Sequence, residues 1–243
     1  MNLVIDVGNT FSKIAVFQND SIVDLEKVTF EELFFTVQKK IEKFPIKASI
    51  LFSVNHDAEE LSAFLKEKTC FVKMANDLKL PFSNNYGTPN TLGQDRIALA
   101  AQAAHSFPFQ NLLIIDAGTC ITYDFLDDQK KYLGGGISPG LRMRFEALHN
   151  FTAKLPVIIA EEIDFIIGSN TSESMLSGVV NGIVYEIDGF ITEYSKNYKD
   201  LTVILTGGDA QFLSKRLKNG IFANSNFLLE GLNTILELNK TND

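Results

Sequence analysis

Three short stretches of this chain have residue types and spacing suited to holding phosphate. The first is Asp6-Val7-Gly8-Asn9-Thr10-Phe11-Ser12-Lys13. A strand that turns sharply through a glycine aims successive N–H groups into one concavity, a nest for phosphate oxygens. Gly8 allows the tight turn and the close backbone approach. Asn9, Thr10 and Ser12 add short polar donors, and Lys13 can reach a terminal phosphate. Asp6, at the end of the strand, can hold a hydrated Mg²⁺, which takes one or two carboxylates and completes its shell with phosphates and water. Taken alone, the stretch also fits a plain hairpin with a glycine turn. The second stretch, Asp116-Ala117-Gly118-Thr119, repeats the chemistry. The third, Gly207-Gly208-Asp209, follows an apolar strand and opens a helix, where a nucleotide can lie against bare backbone. One such loop is common; three in this order are specific for a nucleoside triphosphate.

The elements that must position these loops form an internal echo. Residues 3–10 read L-V-I-D-V-G-N-T and residues 113–120 read L-I-I-D-A-G-T-C. After the first, Ser12 to Gln18 reads as a strand, Asn19-Asp20 as a turn and Ser21 to Val28 as the return. After the second, Ile121 to Leu126, Asp127-Asp128 and Lys130 to Gly134 read the same way. This predicts a duplicated α/β chain, with halves 1–109 and 110–243 whose loops face each other across a cleft. Helices are expected at Glu31 to Lys43, Ala58 to Lys66, Thr91 to His105, Leu141 to Asn150, Thr171 to Tyr194, Asp209 to Lys218 and Phe227 to Leu238. Thr91 and Gln94 have the spacing of a capping box.

Composition narrows the partners. The 243 residues carry a formal net charge of −8 and no basic stripe, which argues against a nucleic-acid surface. No apolar run is long enough to cross a bilayer, and the N-terminus lacks the basic flank of a signal peptide. A cytoplasmic location is expected. Cys70 and Cys120 make neither a disulfide framework nor a metal set.

Further motifs complete the pattern: Y-x-x-P-x-x-L-G-x-D-R from Tyr86 to Arg96, G-G-x-I-x-P-G from Gly134 to Gly140, T-A-x-L-P from Thr152 to Pro156 and G-x-N-T-x-x-S-M from Gly168 to Met175. Together with the three loops they resemble the type III pantothenate kinases, within the actin-like ATPase superfamily that includes Hsp70 and the sugar kinases. The resemblance runs nearly the full length; Thr88, where the family pattern has Asn, departs from it.

The resemblance implies an actin-like (ribonuclease H-like) fold. It implies ATP-dependent phosphorylation of pantothenate, the first step of coenzyme A biosynthesis. Asp95 would be the proton acceptor. Arg96 would bind the substrate carboxylate, with Tyr86, Gly93, Gln94, Asp95 and Thr171 as further pantothenate contacts. Asp6 to Lys13 and Thr119 would contact ATP, Asp6 with its Mg²⁺. Asp116 would hold a monovalent cation, K⁺ or NH4⁺, and the chain would form a homodimer. Asp95 at a helix start suits an ionised carboxylate; alone, Asp95-Arg96 also fits a capped helix with a surface ion pair.

Two other classes compete: another enzyme of the superfamily, such as a sugar kinase or polyphosphate hydrolase, and a nucleotide-binding regulator. Tyr86 to Arg96 and Gly168 to Met175 speak against the first. Intact Asp6, Lys13, Asp95 and Asp116 speak against the second. The string Gly136-Ile137-Ser138-Pro139-Gly140 matches a hydrolase G-x-S-x-G, but Pro139 has no N–H to offer an oxyanion. His56, His105 and His149 are scattered, and Glu161-Glu162 reads as a solvated pair.

Overall fold

The computed structural model describes residues 1–8, 11–53, 58–75 and 77–240. Asn9, Thr10 and His56 therefore lie outside the described residues. The chain divides into two compact units, Met1–Ser106 with Asn226–Asp243, and Phe107–Ser225. The break after Ser106 falls near the expected boundary at 109. The last helix departs from that division: expected in the second half, it packs within the first unit.

In the first unit the strands are β1 (Asn2–Val7), β2 (Ser12–Gln18) and β3 (Ser21–Val28), followed by α1 (Phe30–Lys43), β4 (Ala48–Ser53), α2 (Glu59–Lys68) and β5 (Cys70–Lys73). A two-residue strand β6 (Ser83–Asn84) and a 3-10 turn (Pro89–Thr91) lead to α3 (Gln94–Ser106). The sheet order is β3-β2-β1-β4-β5, with β1 antiparallel to β2 and parallel to β4. Side chains alternate across a strand, so Leu3, Ile5 and Val7 of β1 pack with Leu33 and Val37 of α1 and Leu61 and Leu65 of α2. Asn2, on the opposite face of β1, donates to Asn233 Oδ1 at 2.8 Å and Glu237 Oε1 at 2.6 Å in the last helix. Thr29 and Glu32 form a capping box at the start of α1. Thr91 does not cap α3: its hydroxyl turns back to Thr88 O at 2.9 Å, and the helix begins three residues later, at Gln94.

In the second unit, β7 (Leu112–Ala117), β8 (Cys120–Leu126) and β9 (Lys131–Pro139) form the matching meander. Then come α4 (Leu141–Asn150), α5 (Thr171–Leu176), a π-helical segment (Ser177–Asn181) and α6 (Gly182–Asn197). The expected single helix from Thr171 to Tyr194 is thus interrupted by a wider turn. β10 (Thr202–Thr206), α7 (Ala210–Ser214) and β11 (Phe222–Ala223) close the unit, and α7 is shorter than its expected span to Lys218. Strand order β9-β8-β7-β10-β11 repeats that of the first unit. Leu113, Ile115, Tyr123, Val203 and Leu205 of this sheet pack with Phe145, Val180, Ile183 and Ile187. The last helix, α8 (Phe227–Asn239), returns to the first unit. A Cβ at Gly231 would lie 2.0 Å from the carbonyl oxygen of Ala98, so α8 and α3 touch backbone to backbone there.

The second hairpin of each meander carries one extra residue. In the first, Phe17 pairs with Ile22 but Val16 pairs with Asp24, leaving Val23 unpaired. In the second, Leu126 pairs with Tyr132 but Phe125 with Gly134, leaving Leu133 unpaired. Both are β-bulges, which shift register and sharpen the local twist.

Candidate active site

The chemistry of the first unit gathers at the carboxyl end of β1. Asp6 lies opposite Lys13 in the β1–β2 ladder, and Val7 opposite Ser12. Asp6 is pushed up to about 6 by burial, opposed by the Lys13 charge and reinforced by the Asp95 charge. The three side chains therefore share one electrostatic environment, although Asp95 arrives from α3. A Cβ on Gly8 would sit 2.8 Å from the Phe11 carbonyl oxygen, which accounts for glycine at this turn. The Ser12 hydroxyl is buried and has no hydrogen-bond partner among the described residues. Phe11 is 45% exposed, with the Lys27 ammonium 4.2 Å from its ring centroid.

Asp95 stands in the first turn of α3, where its Oδ1 accepts from the Arg96 N–H at 2.8 Å. A Cβ at Gly93 would come within 2.4 Å of that same oxygen, so glycine there makes room for the carboxylate. Arg96 is buried, and its guanidinium carbon is 5.8 Å from the Tyr86 ring centroid. Tyr86 and Arg96 are thus brought together. Gln94 lines a small cavity of about 160 Å³ with Ser53, Ser62 and Lys73.

The second unit answers with backbone. Asp116 lies opposite Thr206 of β10 and Thr122 of β8. Gly207 has φ +95 and is packed so closely that a Cβ would meet Asp116 Oδ1 and the Ala117 carbonyl oxygen, each at 2.4 Å. The Asp209 N–H donates to Ala117 O at 2.9 Å. Burial raises the Asp209 carboxyl above its ordinary value. Gly140 donates to Thr119 O at 3.1 Å, and a Cβ on it would lie 2.2 Å from Gly118 O. The second and third loops, and the Ser138-Pro139-Gly140 turn, are therefore one assembly.

A clamp outside the expected residues holds that turn. Arg144 donates to Pro139 O at 2.9 Å, Ser138 Oγ at 2.8 Å and Glu186 Oε2 at 2.5 Å, and the Tyr123 hydroxyl donates to Glu186 Oε1 at 2.9 Å. Burial pushes the Glu186 carboxyl up, but hydrogen bonds from Arg144, Ser138 and Tyr123 outweigh it and hold the group below its ordinary value. No motif signals this pair; Arg144 and Glu186 are far apart in the chain and meet only through α4 and α6. Glu162, expected as a solvated residue, is exposed yet takes Arg216 at 2.7 Å.

Thr171 lies at the N-terminus of α5, on a groove of about 1170 Å³ in the second unit. Met143, Leu148, Phe151, Met175 and Val179 make that groove apolar. Of the expected pantothenate contacts, Tyr86, Gly93, Gln94, Asp95 and Arg96 belong to the first unit and Thr171 to the second.

The family model for type III pantothenate kinase matches residues 2–193. The chain belongs to the type III pantothenate kinases. Among curated members, the one from Christiangramia forsetii is 52% identical over 99% of this chain and 100% of its own, and the one from Flavobacterium johnsoniae is 50% identical over 100% of each. Of solved structures, a Campylobacter jejuni protein described as a Baf family transcriptional activator has a TM-score of 0.61 at 21% identity, covering 97% of each chain. A glucokinase from an Antarctic psychrotroph has a TM-score of 0.51 at 12% identity, covering 97% of this chain and 98% of its own. At such identities these structures speak for the fold alone. The family has here the duplicated actin-like ATPase fold, with strand order repeated in two sheets.

Proposed function

We propose that this pantothenate kinase transfers the γ-phosphoryl group of ATP to the primary hydroxyl of pantothenate, giving 4′-phosphopantothenate, with Asp95 as proton acceptor. The observation that carries the reading is the grouping of Asp6, Lys13 and Asp95 at one strand end. The hydroxyl oxygen attacks the γ-phosphorus, the bond to the bridging oxygen of ADP breaks, and the hydroxyl proton passes to an Asp95 oxygen. Phosphoryl transfer depends mainly on position and charge neutralisation, so Asp95 also orients the hydroxyl.

Lys13, the loop from Asp6 to Ser12 with Asn9 and Thr10, and Thr119 of the other unit bind ATP. Arg96 pairs with the carboxylate of pantothenate, a task suited to a planar fork of donors. Tyr86 lies beside its guanidinium, and Gly93, Gln94 and Thr171 complete the contacts.

The residues fit the cations that the family resemblance implies. Asp6 is a half-buried carboxylate whose charged form is disfavoured by burial and by Asp95, a state that a bound cation relieves. Among the described residues no three His, Cys, Asp or Glu side chains form a metal cluster. Mg²⁺ needs only one or two protein carboxylates, with phosphates and water completing its shell. Asp6 would hold Mg²⁺ and Asp116 would hold K⁺ or NH4⁺; each would supply neutralisation of phosphate charge.

The proposed partner is a second copy of the chain. Its support is the family resemblance and the exposed apolar side chains of the second unit, Phe151 on the large groove and Ile159, Ile166 and Ile167 in the segment before α5. A monomeric mass by light scattering would remove the homodimer. No helix among the described residues is long and apolar enough to cross a membrane; a cytoplasmic location is proposed on the family resemblance.

The decisive experiment is a coupled ADP-release assay with pantothenate, ATP, Mg²⁺ and K⁺, run beside Asp95→Asn. ADP should form only with pantothenate, and the variant should lose about 10²- to 10⁴-fold in turnover at unchanged melting temperature. Full activity in Asp95→Asn would remove the proton-acceptor assignment.

A further inference from the structure

We propose that Lys27 is a second cationic contact for the phosphates of the nucleotide, acting beside Lys13. The inference rests on the kinase reading above and adds a residue that no phosphate loop contains. Asp6, Lys13 and Lys27 form a row across β1, β2 and β3, each directly opposite the next. Directly opposed residues share a face of the sheet, so both ammonium groups stand on the face that carries Asp6.

The bulge makes this row. Near the turn, Gln18 pairs with Ser21 and Phe17 with Ile22. Continued without interruption, that register would set Glu26 against Lys13, a neutral pair. The extra residue, Val23, shifts the ladder by one, and Lys27 takes the place. A one-residue slip exchanges which side chains face each side of a sheet, and bulges beside active sites re-aim side chains in this manner. Glu26 and Asp24 are turned to α1, where both bind Lys40, Glu26 at 2.7 Å. Among the described residues Lys27 has no ion-pair partner; its ammonium rests over the ring of Phe11, inside the first phosphate loop.

Like charges placed directly opposite each other destabilise a sheet. This chain has 30 acidic residues against 22 basic ones, so a carboxylate opposite Lys13 would be compositionally easy to supply. Two opposed lysines with one aspartate, beside the first phosphate loop, are matched instead by a polyanion. Its chemical class is the outer phosphates of a nucleoside triphosphate. The Phe11 ring holds the second ammonium at the loop until that anion arrives.

The test compares wild type, Lys27→Gln and Lys27→Arg as full chains, by thermal melting with and without Mg-ATP and by the ADP-release assay. Lys27→Gln should melt at or above the wild-type temperature without nucleotide, because the repulsion is gone. It should show a smaller ATP-induced rise and a KM for ATP raised about 3- to 10-fold, with kcat within about twofold. Lys27→Arg should restore the KM. An unchanged KM in Lys27→Gln would overturn the proposal, as would an equal rise in both variants, because the charge would then be irrelevant. A wild-type chain with neither an ATP-induced rise nor turnover would instead bring down the kinase reading itself.

Discussion

The row Asp6, Lys13, Lys27 in the first sheet has a counterpart in the second: Asp116, Thr122, Ile137. Both rows lie at the same place in the same strand order, and both hairpins carry a bulge at the same place. Their chemistry has diverged. The first row sets two cations beside its aspartate and has four residues, 8–11, between its first two strands. The second sets a hydroxyl and an exposed isoleucine there, and turns in two residues, Gly118 and Thr119. It is then packed from behind by glycines, Gly140 and Gly207, that admit no Cβ. One copy of the scaffold gathers charge at its strand ends; the other presents closely packed backbone. A duplicated fold can thus divide a task without changing its topology.

Making the first row more like the second is the severest way to break that contrast. Lys13→Thr gives the first sheet the residue type found at Thr122. It should lower kcat/KM for ATP by about 10²-fold, the scale of removing one preorganised donor from a reacting charge, while steady-state kinetics show a smaller change in the KM for pantothenate. A loss of less than twofold would mean that charge is not what distinguishes the first unit.

A subtler probe sharpens the description of the second unit as a clamped backbone. Glu186 is held below its ordinary value in the folded chain. Its contribution to stability is therefore complete above the unfolded glutamate value, near ~4.3, and is lost as pH falls through the lower folded value. Melting curves of Glu186→Gln should show a lower melting temperature than wild type at neutral pH, and a gap that narrows as the solution is acidified into that window. A constant gap across the range would mean that the carboxylate charge is not what secures Arg144.

Much of this was legible in the sequence because it is local. Asp-x-Gly at a strand end, the glycine turns and the alternation of Ser12 to Gln18 depend on neighbours a few residues away, and β2, β3 and α4 form over the expected spans. What was hidden depends on pairing across distance. A hairpin read from its turn alone places Glu26 opposite Lys13; nothing in the composition of β3 announces the bulge at Val23. The π-helical segment at Ser177–Asn181 preserves an apolar stripe that reads as an unbroken helix. Thr91 offered a capping pattern, but Pro89 starts a separate 3-10 turn and draws the threonine hydroxyl into it. The assignment of α8 to the first unit needed the contact of Gly231 with Ala98, residues far apart in the sequence.

That return of α8 sets a timetable for synthesis. Phe107–Ser225 is one continuous stretch, so the second unit has all its strands and helices as soon as Ser225 leaves the ribosome. The first unit is translated earlier yet lacks the helix that covers β1 until residues 227–239 emerge. Vectorial folding, which usually completes domains from the N-terminus onward, is here inverted: the half translated first is the half finished last.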